Sequence, residues 1–373
     1  MLNCPQEILD SIVDFSATHC DWKRELQQCC LVSRSWVAPT QKHLFAHIEI
    51  LKERDHRSWT NTFPGPNNPL AYYTRTLEVE AAFGAGETSW INAFSRVECL
   101  VLHFGGHSNR GPGDCATSFR ILAPSLKALH VRPWIKIPPS RVFGLIRSLP
   151  LLEDLSVSDR DLVDEDGPPT GPDPFPPPAL TGSLKISLYS AKGWFRQLLD
   201  LRGGLHFTKL TLILPGQEED LLLAEQLMEA CRYTLECLEI SFPDNREASK
   251  IKLSELEKLQ DITIKCGPSL DWIAETLESI KSSHLRKNLI HPTPFFFRYL
   301  YNLNTKHAVE TVRDIWSRLD RVLMSFSKSH SIRPEFFSPR HVDEMALIKG
   351  ILKSLMPESS GRGVIDLNFI ADT

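Results

Sequence analysis

The sequence lacks the features that mark a secreted or membrane protein. Apolar runs such as residues 221–224 are far shorter than the roughly 20 residues that a membrane-spanning helix needs. The first twenty residues contain acidic side chains and no apolar core segment, so they do not predict a signal peptide. No Asn-x-Ser/Thr sequon occurs. We therefore expect an intracellular protein, cytoplasmic or nuclear, with no membrane partner.

The chain also lacks a strong net charge and an ordered cysteine pattern. Its 373 residues include 42 Lys and Arg against 46 Asp and Glu, a net charge of −4. No overall basic field therefore favours a nucleic acid partner. The nine cysteines lie at positions 4, 20, 29, 30, 99, 115, 231, 237 and 266, and none has C-x-x-C spacing. This pattern predicts free thiols in a reducing compartment.

Motifs typical of catalysis are absent or lack their context. Residues 111–116 match G-x-G-x-x-A, but they lie seven residues past a strand-like run, which favours a loop over a dinucleotide site. No P-loop and no nucleophile elbow occurs. Four possible metal ligands fit no common zinc spacing: His103, His107, Cys115 and His130. We predict no cofactor, no metal ligand and no catalytic residue, and hence a protein that is not an enzyme.

Residues 1–50 predict a small helical module. Asn3 and Gln6 have the spacing of a capping box, and Pro5 is favoured in a first helical turn. A second segment, 26–36, is too apolar on all sides to stand alone in water, so it must pack on the first helix and can leave surface for a partner. The first helix is predicted from apolar residues at helical spacing: Ile8, Leu9, Ile12, Val13 and Phe15.

Three stretches of this module carry a resemblance to a known family. They are Pro5-Gln6-Glu7-Ile8-Leu9 with Ile12 and Val13, then Cys-Leu-Val-Ser-Arg-Ser-Trp at 30–36, then His-Leu-Phe at 43–45. Together they resemble an F-box, and more narrowly the F-box proteins abundant in mushroom-forming fungi. Cys4 stands where the family has Leu before the proline.

The resemblance implies a partner for this module. It implies a Skp-type adaptor and, through it, a cullin-RING ubiquitin ligase. The residues that would lie at or beneath the adaptor surface are Pro5, Ile8, Leu9, Ile12, Val13, Leu31, Val32 and Trp36. The alternative, that these residues form only the internal core of a small helical domain, stays open because periodicity does not separate exposed anchors from core residues.

Residues 70–290 predict an irregular repeat array. Eight strand-like segments of the form Leu-x-x-Leu-x-Leu have their middle apolar residue at 77, 100, 129, 155, 184, 210, 238 and 262, with spacings of 23 to 29 residues. This period and strand signature are typical of leucine-rich repeats. An ordinary doubly wound α/β domain is the alternative, and the persistent period disfavours it.

Helix-like apolar sets lie between these strands, at 90–94, 142–149, 194–199, 222–228 and 272–280. Alternating strands and helices predict an α/β solenoid with a parallel sheet on its concave side. The residues expected to face outward from the strands carry mixed charge: Glu78, Glu98, Lys127, Glu153, Asp154, Lys185, Lys209, Glu236 and Glu239. They define no charge preference for a target protein.

Two further segments are harder to interpret. The Pro-rich stretch 167–178 predicts a loop between repeats, with a polyproline ligand as the less favoured alternative. Residues 291–373 predict a helical tail, with helices at 311–326 and 342–355, which caps the solenoid or holds a partner.

The predicted fold class is therefore α/β: a short all-α F-box module, a leucine-rich-repeat solenoid and a helical C-terminal tail. By resemblance, its function is that of a substrate-receptor subunit of an SCF-type ubiquitin ligase, with a target protein held by the repeats. A repeat scaffold or recognition protein with a vestigial F-box is the second hypothesis. A hydrolase or cofactor enzyme with a site between repeats is the third.

Overall fold

A computed structural model describes residues 5–17, 22–62, 68–85, 90–105, 118–133, 139–159, 179–188, 191–201, 204–214, 218–242, 253, 255–266, 270–280, 287–292, 306–325, 330–332, 335–336, 350, 353–361, 365–366 and 370–371. The chain divides into two compact units: the first contains the described residues up to Ser156 together with Ala179, and the second contains the other described residues from Val157 onward. Both units contain parallel strands that alternate with helices, so the α/β class predicted from the sequence is confirmed. No described helix is both long enough and apolar enough to span a membrane.

The first unit begins with three helices, α1 (Gln6–Ser16), α2 (Trp22–Val32) and α3 (Arg34–Leu44). Its strands are β1 (His47–Ile50), β2 (Thr76–Glu80), β3 (Cys99–Phe104) and β4 (Ala128–Pro133), and β5 (Asp154–Asp159) crosses the division. Helices α4 (Glu53–Thr62) and α5 (Pro139–Arg147) lie between strands, with 3₁₀ turns at Ala71–Tyr73, Ala81–Ala85, Ile91–Ala93 and Arg120–Leu122.

Strands β1 to β4 pair in parallel, in the register that the repeat spacing predicts. Leu77 is the Cα partner of Leu100, and Leu100 is the partner of Leu129. All three side chains are buried, because side chains alternate along a strand and these positions share the core face. Ile48 of β1 pairs with Leu77, so this column of paired core residues includes β1 in addition to the predicted strands.

The second unit contains β6 (Ser183–Leu188), β7 (Lys209–Ile213), β8 (Cys237–Phe242), β9 (Asp261–Cys266) and β10 (Lys287–Pro292). Helices α6 (Lys192–Leu199), α7 (Glu218–Ala230) and α8 (Leu270–Glu278) alternate with them. Beyond these lie α9 (Lys306–Ser325), β11 (His330–Ile332), β12 (Glu335–Phe336), α10 (Pro357–Gly361), β13 (Ile365–Asp366) and β14 (Ile370–Ala371).

The predicted column is also in register in the second unit. Leu184 pairs with Leu210, Leu210 with Leu238 and Leu238 with Ile262, and all four are buried. Parallel strand pairing continues past residue 290, where the sequence analysis placed the end of the repeats. Strand β10 pairs with β9 in parallel, β11 pairs with β10, and β13 pairs with β11. Strands β11 and β13 are only three and two residues long, so their sequences carry little strand pattern.

The apolar segment 26–36 spans parts of two helices, because Ser33 is extended, with φ −162° and ψ 164°, and separates α2 from α3. Two local expectations differ from the structure. Helix α1 begins at Gln6 with Pro5 as its N-cap, and none of the described side chains caps it. The set 90–94 forms only the 3₁₀ turn Ile91–Ala93. Residues 167–178, the motif at 111–116 and the possible ligands His107 and Cys115 lie outside the described residues, as does most of the predicted helix 342–355.

Asp320 of α9 fixes the short C-terminal helix α10. Its side chain is buried, with Oδ2 accepting from the backbone amide of Glu358 at 3.0 Å and Oδ1 accepting from that of Ser359 at 2.9 Å. The first amides of a helix have no partner within the helix. A carboxylate at this position therefore satisfies two of them and opposes the helix dipole favourably.

Candidate functional site

The N-terminal helices divide the predicted adaptor residues into two groups. Leu9 and Val13 of α1 are buried, as is Leu26 of α2, so these three side chains belong to the core of the module. Ile8 and Ile12, on the same helix, are 51% and 42% exposed. Residues four apart lie on one helix face, so α1 presents one apolar face inward and a second one to solvent.

A second exposed apolar pair lies at the end of α2. Leu31 is 86% exposed and Val32 is 68% exposed. The chain turns immediately after them, because Ser33 leaves the helical conformation and α3 begins at Arg34. The two side chains therefore sit at a helix end, where the described residues leave most of their surface uncovered.

The remaining predicted residues occupy intermediate positions. Pro5 is exposed and precedes α1, and Trp36 is half-buried in α3. Sequence reasoning left out one residue of this surface: Phe15 of α1 is 66% exposed. Its signal was the spacing of Ile8, Ile12 and Phe15, four and then three residues apart, which places all three on one side of α1.

We call Ile8, Ile12, Phe15, Leu31 and Val32 the exposed apolar set. Of the ten large apolar side chains that are exposed in the described part of the chain, these five lie within the first 32 residues. Scattered exposed apolar residues are ordinary, whereas such a concentration makes these residues a candidate interaction surface. Its chemistry is burial of hydrocarbon, since none of these side chains can donate a proton or act as a nucleophile.

Polar contacts hold the helices that carry this surface. His43 Nε2 of α3 lies 2.6 Å from Asp14 Oδ1 of α1 and joins the first and third helices. Helices α2 and α3 also pack against each other and against α1. The exposed apolar set is therefore presented by a packed three-helix module rather than by separate segments of chain.

A second polar cluster lies on the sheet of the first unit and corrects one expectation. Glu78 was predicted to face outward, but it is 8% exposed. Its Oε1 accepts from Arg132 at 3.0 Å and lies 2.6 Å from His103 Nε2, and its Oε2 lies 3.2 Å from His47 Nε2. The other eight residues predicted to face outward are exposed or half-buried, as expected.

These contacts determine the charge state of Glu78. Burial alone would raise the pKa of this carboxyl, but hydrogen bonds and the charges of His103 and Arg132 together with the contact to His47 bring the pKa below its ordinary value. Glu78 is thus an ionised carboxylate near neutral pH, surrounded by basic groups on β1, β3 and β4. His103, named above among possible metal ligands, is one of these groups, and His130 lies on β4 as the partner of Val101.

No protein-family model matches this chain, and no curated protein matches it as a relative. The fold and the site therefore describe the class of protein: an α/β protein with parallel strands in register, preceded by a three-helix module with exposed apolar side chains. Within the described residues, the clearest functional feature of that class is the exposed apolar set.

Proposed function

We propose that this chain is the substrate-receptor subunit of an SCF-type ubiquitin ligase. In this proposal helices α1 to α3 form an F-box that binds a Skp-type adaptor, and the parallel strands are leucine-rich repeats that hold a target protein. The observation that carries the proposal is the exposed apolar set. Four of its five members, Ile8, Ile12, Leu31 and Val32, are among the residues that the resemblance to F-box proteins assigns to the adaptor surface.

The energetics of the exposed apolar set fit such a role. Complete burial of one Val, Leu, Ile or Phe side chain contributes about 1.5–3 kcal/mol. Leu31 and Val32 have most of this contribution still available, and Ile8 and Ile12 about half. Part of the sum is lost to the entropy of association. The remainder would contribute to the affinity for an adaptor.

The proposed role requires no catalytic group in this chain. The ligase would act by bringing a target near a ubiquitin-loaded enzyme, so that the rate enhancement arises from proximity. The exposed residues on or next to the strands, such as Glu98, Lys127, Lys185 and Lys209, include charges of both signs. They define no single charge class for the target.

The test is co-purification of the full chain with a Skp-type adaptor. The informative variant is Leu31→Asp combined with Val32→Asp, because both side chains are largely exposed and their replacement leaves the core intact. A change at Leu9 or Val13 would not separate loss of binding from loss of folding, since both are buried. The matched control is Leu222→Asp, an equally drastic change at an exposed leucine of α7 in the second unit.

We expect the wild type and the Leu222→Asp control to capture the adaptor and the double variant to lose it, at unchanged melting temperature. Capture by the double variant would reject the adaptor surface proposed here. If the wild type captures no adaptor, the chain is better explained as a repeat scaffold with a vestigial F-box, for which the departure at Cys4 is the sequence signal.

A further inference from the structure

Three side chains with metal-binding atoms meet on the first two strands of the first unit. His47 and Glu49 lie two residues apart on β1, so they project from the same face of the sheet. Glu49 is the Cα partner of Glu78 on β2. His47 Nε2 lies 3.2 Å from Glu78 Oε2 and 3.9 Å from Glu49 Oε1. One ligand atom from each of the three residues lies within 4.8 Å of the others.

The two oxygens of Glu78 have different surroundings. Oε1 is held from the far side by His103 Nε2 at 2.6 Å and Arg132 at 3.0 Å. Oε2 faces His47 and Glu49. Metal-bound carboxylates are commonly held in this way by a second layer of hydrogen-bond donors, which fixes the direction of the ligating oxygen. His103 and Arg132 would act here as positioning residues.

The charge balance of the cluster is incomplete. Glu49 and Glu78 are directly opposite each other on adjacent strands, a placement that is unfavourable for like charges. Arg132 and His103 contact Glu78, and neither makes an ion pair with Glu49 among the described residues. In the part of the chain that the structure describes, the only basic group at ion-pair distance from Glu49 is His47, at 3.9 Å, and this imidazole carries charge only when protonated. A divalent cation between the three side chains would compensate both carboxylates.

We propose that His47 Nε2, Glu49 and Glu78 Oε2 bind a Zn²⁺ ion. An imidazole nitrogen with two carboxylate oxygens is a donor set for zinc, whereas Ca²⁺ and Mg²⁺ take oxygen ligands in larger number. Zinc–ligand distances near 2.1 Å place tetrahedral ligands about 3.4 Å apart. The His47–Glu78 pair already has this separation, and Glu49 is exposed, so its side chain is free to rotate the remaining distance.

The fourth position of such a site faces solvent. His47 and Glu49 are both exposed, whereas Glu78 is nearly buried. The ion would therefore bind at the surface with one anchored and two adjustable ligands. It would join β1, which begins three residues after the end of α3, to β2, and so strengthen the pairing of the first strand with the array.

The experiment is a calorimetric titration of the chelator-treated full chain with Zn²⁺. Two variants each remove one exposed ligand, His47→Ala and Glu49→Gln, so that the buried contacts of Glu78 remain. The matched control is Glu98→Gln, which alters an exposed carboxylate of the same unit that pairs with Arg75 at 3.0 Å. Melting temperatures with and without Zn²⁺ give a second readout, since a ligand that binds only the folded state stabilises it.

We expect one Zn²⁺ per chain and a Zn²⁺-dependent rise in melting temperature for the wild type and for Glu98→Gln. In both ligand variants, affinity should fall by about tenfold or more. Wild-type affinity in either ligand variant would overturn the proposal, because the ion would then be held elsewhere among the histidines and cysteines. Absence of saturable binding by the wild type would overturn it as well. Competition by excess Mg²⁺ would contradict the assignment to zinc.

Discussion

Two leucines of α2 offer a direct test of how the N-terminal module is packed. Leu26 is 0% exposed and Leu31 is 86% exposed, yet they lie on the same helix and accept the same substitution. Replacement of each by alanine removes the same atoms. Any large difference in stability between the two variants therefore reports mainly the difference in burial.

The structure sets the size of the difference. Leu→Ala at a fully buried site costs about 2–5 kcal/mol, from lost transfer free energy and the cavity left behind. A change at an exposed site stays within about 0.5 kcal/mol. Since 1.4 kcal/mol corresponds to a factor of ten, Leu26→Ala should reduce protection against amide hydrogen exchange by roughly 30-fold to 4,000-fold in α1 and α3.

Hydrogen exchange followed by mass spectrometry resolves these helices from the repeats, which a global melting curve does not. Leu31→Ala should leave the exchange of α1 and α3 unchanged. Equal loss of protection in the two variants would refute the packing described here, and so would a larger loss in Leu31→Ala. In either case the exposed apolar set could no longer be considered available to a partner.

Three further outcomes follow from the structure. Leu210→Ala, within the buried column of the second unit, should lower the free energy of unfolding in urea by about 2–5 kcal/mol, while Lys209→Ala on the exposed side should stay within about 0.5 kcal/mol. Burial raises the pKa of the Cys231 thiol to about 11, so peptide-resolved labelling at pH 8 should leave this residue unmodified in the native chain. Its contribution to stability should be complete below the ordinary thiol pKa and be lost as the pH rises toward 11, which pH-dependent urea unfolding of wild type and Cys231→Ala would measure. Asp320→Ala in α9 should abolish hydrogen-exchange protection in α10, because two backbone amides of α10 lose their acceptor. Asp314→Ala, at an exposed position of α9, should leave the protection of α10 unchanged.

The register of the repeats could be read from the sequence, and the reason is physical. Each middle leucine must face the core, and side chains alternate along a strand. A shift of the pairing register by one residue would therefore move the core-facing side chains of that strand to the opposite face of the sheet. Positions 77, 100 and 129, and again 184, 210, 238 and 262, are therefore in register. Strands of two or three residues, such as β13 and β11, carry too little of this alternation to be recognised.

The candidate surfaces were less predictable. Helical spacing predicted the apolar residues of α1. It could not predict that Ile12 is exposed and Val13 is buried, because this difference depends on where α2 and α3 pack. The break at Ser33 was not predicted from the sequence of residues 26–36. Glu78 looked like any outward strand residue. Its burial depends on His47, His103 and Arg132, which lie between 25 and 54 residues away and meet it only through strand pairing.

The pairing pattern has a consequence for how such a chain can change over evolutionary time. Successive partners in the second unit, Leu184, Leu210, Leu238 and Ile262, are separated by connections of unequal length, yet their Cα atoms remain in register. Neighbouring strands keep a pitch of about 4.8 Å whatever the length of the chain between them. Insertions and deletions can therefore accumulate in the connections while the outward strand residues keep the same grid of positions. The outward strand residues, which would contact a partner, and the lengths of the connections can therefore change independently of each other during evolution.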